Sequence, residues 1–232
     1  MSTAFGRREG CQDRVRGYNA AAMNLASALL AAALSAAPSP SAPVTLVGAG
    51  GLGPGGAAWL TEVGYPQLSL TYAQGLDEWN DLGGTLGVGW TTGEMVLAAV
   101  WRRELAGDAG SRAGFRLVAG PWLNFGATWI YPDNLANVGL LVAPGVGWTA
   151  SAGPGLASVT LDLALEWAFQ RGMGIAFLPR LGVAYEAQVV KDVTIGARAG
   201  LWARWASGSA GIPGVDRKLL GELVALVTWK VF

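Results

Sequence analysis

Large apolar residues and small or polar residues alternate along much of the chain. In the clearest stretch, residues 156–169, the odd positions hold Ala, Val, Leu, Trp and Phe, while the even positions include Asp162 and Glu166. A period of two over this length predicts a β-strand with two chemically different faces. Residues 173–189 and 193–205 repeat the pattern. Three successive strands therefore share one chemistry.

Weaker versions of the pattern complete a series of strands separated by turns rich in Gly, Pro, Asn and Asp. No amphipathic stretch of helical length interrupts the series. Pro121, Pro144 and Pro179 fall inside expected strands, where proline removes a ladder donor, so eight strands is the alternative to ten. The ten strands are expected at about 44–51, 65–74, 82–90, 94–103, 112–127, 136–148, 156–169, 173–189, 193–205 and 219–232.

Composition decides which face of these strands meets which solvent. The chain is 52% hydrophobic and only 14% charged, against about 25% charged residues in an ordinary soluble domain. One strand face carries the large apolar residues, and the other carries Gly, Ala, Ser, Thr and nearly all of the charges. A soluble barrel would need charges on its outside, whereas a barrel in lipid turns its apolar face outward. We therefore predict an all-β fold, a closed antiparallel transmembrane up-and-down β-barrel.

A helical membrane protein is the main rival fold. The uncharged run at 134–161 favours it, but its glycines and two prolines, Pro144 and Pro154, argue against an uninterrupted span. Aromatic residues favour the barrel, because Trp and Tyr concentrate where a membrane meets water. Eight of them lie on the expected outward face, mostly near strand ends, and form a predicted aromatic girdle: Tyr72, Trp90, Trp101, Trp148, Trp167, Tyr185, Trp205 and Trp229.

The N-terminus has the pattern of a secretory signal peptide. Residues 1–19 contain four arginines, and residues 20–34 form an apolar stretch that small residues follow. This stretch is shorter than the roughly 20 residues of a membrane span, although an uncleaved anchor helix is an alternative. Cleavage after Ser35 or after Ala37 satisfies the small-residue rule, so the signal peptide is placed at 1–37.

The remaining chain divides into a short Pro/Ser linker, 38–43, and the barrel, 44–232. A start at Met23 would leave a more compact signal and make residues 1–22 a mis-called extension. Cys11 precedes the apolar stretch and is therefore not a lipid-attachment cysteine. Once the signal is removed, the chain has neither Cys nor His.

The signal segment, the closely spaced alternating strands and the final Phe232 together resemble the small bacterial outer-membrane barrels of the OmpA, OmpX and OmpW kind. The resemblance implies a location in the outer membrane, contact with its lipid, and insertion by the barrel-assembly machinery. It also implies that Phe232 is the terminal signal read by that machinery. The third residue from the end, Lys230, departs from the apolar or aromatic residue of the usual signal, and the aromatic side chain is at Trp229 instead.

The residue types exclude several chemistries. The chain has no His, and the part that follows the predicted signal peptide has no Cys. This part therefore lacks the usual proton carrier, a thiol nucleophile and the usual zinc ligands. Asp162 and Glu166 lie about 13 Å apart along one strand, too far for a glycosidase pair. We therefore expect no enzyme, no catalytic residue, no metal and no cofactor. From Pro38 onward 12 basic residues face 14 acidic ones, so nothing indicates nucleic-acid binding.

Charged residues on the small-residue face are expected inside the barrel, where opposite signs must pair. A three-residue loop after residue 169 sets Asp162 opposite Arg180, and the next hairpin sets Glu186 diagonal to or opposite Arg198. The expected interior network comprises Asp162, Glu166, Arg180, Glu186, Arg198 and Arg204, with Glu166 and Arg204 nearer the outer rim.

Two functions remain open. The first is transport through a narrow pore or channel for small or apolar solutes, with the interior charges forming a selective constriction. The second is a structural or interaction barrel that is plugged by its ion network and acts through extracellular loops. Small inner-face residues favour the pore, but the sequence names neither a solute nor a loop partner.

Overall fold

The computed structural model describes residues 44–108, 110–126, 135–170, 172–212 and 215–231. These residues form an all-β fold, a closed antiparallel barrel of ten strands, and the predicted fold class and strand number are confirmed. The signal segment 1–37, the linker 38–43 and Phe232 lie outside the described residues. Within the described part of the chain, no helix is long and apolar enough to cross a membrane.

Consecutive strands pair in order around the barrel, and β1 and β9 both pair with β11 to close it. β9 and β10 are two parts of one barrel strand, interrupted at Arg204, and both pair with β8 in the same register. The strands are β1 (Ala57–Tyr65), β2 (Gln67–Gly75), β3 (Asn80–Gly89), β4 (Glu94–Gly107), β5 (Ser111–Asn124), β6 (Asn137–Ala152), β7 (Gly155–Ala168), β8 (Gly174–Val190), β9 (Val193–Ala203), β10 (Trp205–Gly208) and β11 (Leu219–Lys230).

The alternating pattern places large apolar side chains outside the barrel and small, polar and charged side chains inside. Leu163 and Leu181 are 40% and 51% exposed, whereas Asp162, next to Leu163, is 9% exposed. The outer surface is therefore an apolar face with few charges, and the predicted facing of these strands is confirmed.

The first predicted strand is wrong. Residues 44–51 do not join the sheet. β1 is Ala57–Tyr65, and all of it except Tyr65 lies between the first two predicted strands, 44–51 and 65–74. The physical reason is that both segments are apolar, but β1 also alternates, with Leu60 and Glu62 buried and Val63 exposed. The turn at Gly53 to Gly56 separates the two segments.

The three strand prolines do not break the barrel. Each lies within a continuous strand, so the eight-strand alternative does not hold. At Pro144 the β6–β7 ladder lacks pairs between Val142 and Gly145. Pro179 stays in register opposite Leu163.

The two ends of the barrel differ. The end near Ala57 and Lys230, here called the terminal end, has the short connections 76–79, 108–110, 153–154 and 191–192. Two of these are closed by aspartates: Asp77 accepts from the backbone N–H groups of Trp79 and Asn80, and Asp108 from those of Gly110 and Ser111. Hydrogen bonds to these carboxylates lower the pKa of both groups.

The opposite end, here called the loop end, carries the connections at residue 66, 90–93, 125–136, 169–173 and 209–218. The last of these folds back over the barrel, because Ala210, Ile212 and Val215 are each only 1% exposed. The loop end is therefore partly covered from one side.

Candidate functional site

The terminal end of the lumen is filled by residues 44–52, here called the plug. Leu46 and Val47 are each 3% exposed. They pack against inward-facing side chains of β1, β2, β8 and β11, which are Ala58, Leu60, Ala73, Ala184, Val224 and Leu226.

Arg102 on β4 holds the backbone of the plug. Its Nη2 donates to the carbonyl oxygens of Thr45, Gly48 and Gly50, at 3.1, 3.1 and 2.7 Å. Its Nη1 lies 3.2 Å from Asp81 Oδ2. One buried arginine thereby satisfies three carbonyl groups of a segment that has no strand partner.

Polar side chains of the wall hold the plug from the other sides. The Thr45 hydroxyl donates to the Glu186 carboxyl, which also accepts from Thr228 at 3.3 Å. The Ala49 N–H donates to Thr149 Oγ1 at 2.7 Å. Burial and these contacts make the plug an ordered part of the barrel interior.

Beyond the plug, the lumen contains a cavity of about 240 Å³. Its wall combines apolar and charged side chains, which for the most part lie on the same strands. The apolar side chains include Val96, Val100, Val118, Trp122, Leu141, Leu178 and Trp202, and the charged ones are Glu62, Glu94, Arg102, Arg116, Asp162, Glu166, Arg180 and Arg198.

Ion pairs join the charged side chains of the cavity wall. Arg198 Nη1 lies 2.6 Å from Glu62 Oε1, and its Nε lies 3.0 Å from Glu222 Oε1. Glu222 also pairs with Arg180, whose Nε is 3.4 Å from Oε2. These four residues form one network that joins β1, β8, β9 and β11.

A separate pair lies on the facing wall, where Arg116 Nη2 is 2.6 Å from Asp162 Oδ2. At the loop end, Arg204 contacts both Glu166 and Asp216, each at 2.8 Å. Arg204 is fully buried. It thereby fastens the 209–218 connection to the barrel wall.

All six residues of the expected interior network face the lumen, but their partners differ from those expected. Asp162 is opposite Arg180 in the ladder, so the predicted register is confirmed. The predicted ion pair between them is wrong, because Asp162 pairs with Arg116 and Arg180 with Glu222. The reason is that long side chains reach past their neighbours in a narrow lumen.

The second predicted pair is also wrong. Glu186 is opposite Gly196, which leaves Arg198 diagonal to it, one of the two arrangements allowed. Glu186 nevertheless bonds to Thr45 and Thr228, while Arg198 pairs with Glu62 and Glu222. The plug supplies a partner that strand pairing alone does not reveal.

The eight residues of the predicted aromatic girdle lie on the outward face, divided between the two barrel ends. At the terminal end the Trp59 ring contacts those of Tyr72 and Trp229, with centroids 4.9 and 6.4 Å apart. At the loop end Tyr65 contacts Trp90 at 5.8 Å. The remaining members are Trp101, Trp148, Trp167, Tyr185 and Trp205.

Sequence reasoning missed several lumen residues. Trp122 and Trp202 are buried inside, 1% and 7% exposed, and line the cavity. The sequence signal that could have found them is the period of two along a strand. Trp122 and Arg116 both occupy even positions of β5, and Trp202 and Arg198 both occupy even positions of β9. Arg102, Asp81 and the plug itself were hidden by the wrong assignment of 44–51.

The fold and the lumen define a class, a ten-stranded antiparallel barrel with a polar, half-filled interior and an apolar exterior. No protein-family model matches the sequence, and no curated protein matches it. Among the residues that the structure describes, no group of three or more Asp, Glu, His or Cys side chains is placed to hold a metal ion.

Proposed function

We propose that this protein is an outer-membrane β-barrel that spans the membrane with its ten strands. The support is the outer surface, where large side chains such as Leu163 and Leu181 are exposed on the wall of a closed barrel. Trp and Tyr side chains at both barrel ends fit two membrane interfaces. An even strand number puts both ends of the barrel domain on the same side of the membrane. Because outer-membrane barrels have short periplasmic turns and longer outer loops, the terminal end, with its short connections, is placed in the periplasm.

We further propose that the barrel is a narrow channel for small solutes in its closed state. The observation that carries this function is the division of the lumen into a plug at the terminal end and a cavity beyond it. Residues 44–52 contact the wall through hydrogen bonds and a small apolar cluster, and no strand pairing holds them. Such a segment can leave the lumen without breaking the hydrogen bonds between the barrel strands.

The alternative is a permanently plugged barrel that acts through its loops. The buried, hydrogen-bonded plug favours it, and the cavity beyond the plug favours the channel. We propose no catalysis in either case. Four lumen carboxylates, Glu62, Asp162, Glu166 and Glu222, are engaged in ion pairs, and Glu94 and Glu186 accept hydrogen bonds from Trp122 and Thr45.

Planar-bilayer recording of the whole barrel separates the two functions. Arg102→Gln removes the charged donor that bonds three plug carbonyls. A change of about 1.4 kcal/mol shifts an equilibrium tenfold, and three charge-assisted hydrogen bonds together contribute more than that. The open probability should therefore rise at least about tenfold. Thr45→Val, which removes the bond to Glu186, should act in the same direction.

The matched control is Arg103→Gln. Arg103 follows Arg102 on β4, but its side chain is exposed on the outer side of the barrel and does not reach the plug. It should leave the conductance of the protein unchanged. If folded Arg102→Gln and Thr45→Val barrels stay as silent as the unmodified protein, the channel function is wrong and the permanently plugged barrel stands.

A further inference from the structure

Two hydrogen-bond donors of the cavity wall are buried without a partner. Within the described ranges, neither the Trp202 indole Nε1 nor the Arg198 Nη2 has an acceptor. Both residues line the cavity and are at least nine-tenths buried. Buried N–H groups are almost always paired in folded proteins, so donors left free at a cavity mark a place for an acceptor atom.

Apolar side chains lie close to these donors. Trp202 packs with Ile212 and Val215 of the 209–218 connection. Across the cavity, Trp122 clusters with Leu141 and with partly buried Val96, Val118 and Leu178. A molecule bound here would place its larger, apolar part against these side chains.

The balance of charges in the cavity wall argues against an anion. Arg116, Arg180 and Arg198 are balanced by the three carboxylates of Asp162, Glu62 and Glu222. Glu94 adds a fourth carboxylate and accepts from the Trp122 indole at 3.1 Å. The cavity therefore offers free N–H donors without a net positive field, which suits a neutral acceptor better than a carboxylate.

Size limits the molecule further. A dry cavity of about 150 Å³ accommodates benzene, so the 240 Å³ found here fits about ten non-hydrogen atoms by the same scale.

We infer that this cavity binds a small uncharged molecule with an apolar or aromatic body and one hydrogen-bond acceptor, such as a ketone, ester or amide oxygen, held by Trp202 and Arg198. The inference rests on the proposed solute channel and names the class of its solute. The acceptor receives the Trp202 Nε1–H and Arg198 Nη2–H bonds, and the body contacts the Trp122 and Leu141 side of the wall.

Three probes of matched size test this class: acetophenone, which has a neutral acceptor; cumene, which has none; and benzoate, which is anionic. The readout is the ¹⁵N-labelled indole N–H resonance of Trp202 in the whole barrel in detergent micelles, identified by its absence from Trp202→Phe. Acetophenone should move this resonance downfield and saturate at a concentration at least about fivefold lower than cumene, because one net hydrogen bond of about 1 kcal/mol gives that factor and two are proposed. Benzoate should bind less tightly than acetophenone.

Trp202→Phe should remove most of the preference for acetophenone over cumene, measured on the indole resonance of Trp122, the other tryptophan that lines the cavity. Trp90→Phe is the control, because Trp90 faces outward and its N–H is bonded to Gly64 O at 2.9 Å. The ligand preference should be unchanged in that variant.

Equal binding of cumene and acetophenone, tightest binding of benzoate, or no saturable shift with any probe would each overturn the inference. These outcomes are distinct from failure of the proposed channel. The micelle experiment reports the cavity alone, whereas bilayer recording of Arg102→Gln reports the plug. A barrel that opens when the plug is weakened but does not discriminate between the probes would keep the channel and lose its solute class.

Discussion

Gly145 lies between Arg116 and Asp162 in the hydrogen-bonded ladder of β5, β6 and β7. A Cβ on this glycine would lie 2.0 Å from Asp162 Oδ1. The missing side chain therefore creates the space in which an arginine and a carboxylate from next-nearest strands meet.

Gly200 has the same role on β9. A Cβ there would lie 2.8 Å from Glu222 Oε1, and β9 separates the strands that carry Arg180 and Glu222. Inner-face glycines in this barrel thus decide which charges pair, in addition to leaving room in the lumen.

Removal of one charge tests the pairing across β6. Asp162→Asn should lower the free energy of unfolding by about 1–3 kcal/mol, because Arg116 loses its ion-pair partner in a half-buried site. The double variant Asp162→Asn with Arg116→Gln should recover much of that loss. Urea-induced unfolding in lipid vesicles measures both.

The matched comparison is Asp162→Asn with Arg180→Gln, which removes the ladder neighbour of Asp162 instead of its ion-pair partner. This double variant should be no more stable than Asp162→Asn. Recovery with Arg180→Gln and none with Arg116→Gln would show that the contact across β6 is not the stabilising one.

At the scale of single residues, the sequence predicts which side chains face the lumen and how neighbouring strands are aligned, but it does not predict the ion pairs. The register between Asp162 and Arg180 follows from loop length and parity, because a one-residue slip would turn every side chain to the other face. Neither loop length nor parity predicts which side chains meet across the lumen. The sequence signal that could have indicated the Arg116 pair is Gly145, a position without a side chain between two charged neighbours in the ladder.

At the scale of single strands, alternation is a strong signal only where the two faces differ in chemistry. β7, β8 and β9 alternate large apolar with small or charged residues, and their positions agree with those expected. Residues 44–51 are predicted as the first strand, but they are apolar without a clear alternation and lie in the lumen as part of the plug. Strand propensity cannot distinguish an apolar segment in the wall from one inside it.

The proposed contact between β7 and lipid can be tested by comparing a charge placed in the middle of the barrel wall with a charge placed near its end. Leu163 lies in the middle of β7 and faces outward. Leu163→Arg should lower the free energy of unfolding in lipid vesicles by about 2–4 kcal/mol, because the charge enters the hydrocarbon layer.

Leu219→Arg is the matched control, since Leu219 is 70% exposed at the loop-end start of β11. Its effect should stay within about 1 kcal/mol, as expected near an interface. Equal effects of the two substitutions would mean that the middle of the outer face does not contact hydrocarbon.

At the scale of the whole molecule, the lumen is asymmetric. Its terminal end is filled by the plug, its middle holds the cavity and the ion-pair network, and its loop end is covered in part by the connection that Arg204 fastens through Asp216. The closed ten-stranded wall follows from a sequence pattern repeated along the chain. The plug and the cavity do not, because both depend on which side chains from distant strands share the interior.

Cysteine labelling on intact cells tests the outer-membrane barrel most directly. Lys218 and Lys191 are both exposed lysines, the first in the 209–218 connection at the loop end and the second in the turn at the terminal end. In a Cys11→Ser background, a membrane-impermeant maleimide should label Lys218→Cys on intact cells and Lys191→Cys only after the outer membrane is permeabilised. Labelling of Lys191→Cys but not Lys218→Cys on intact cells would invert the orientation, and no difference between the two after either treatment would contradict a barrel that spans the outer membrane.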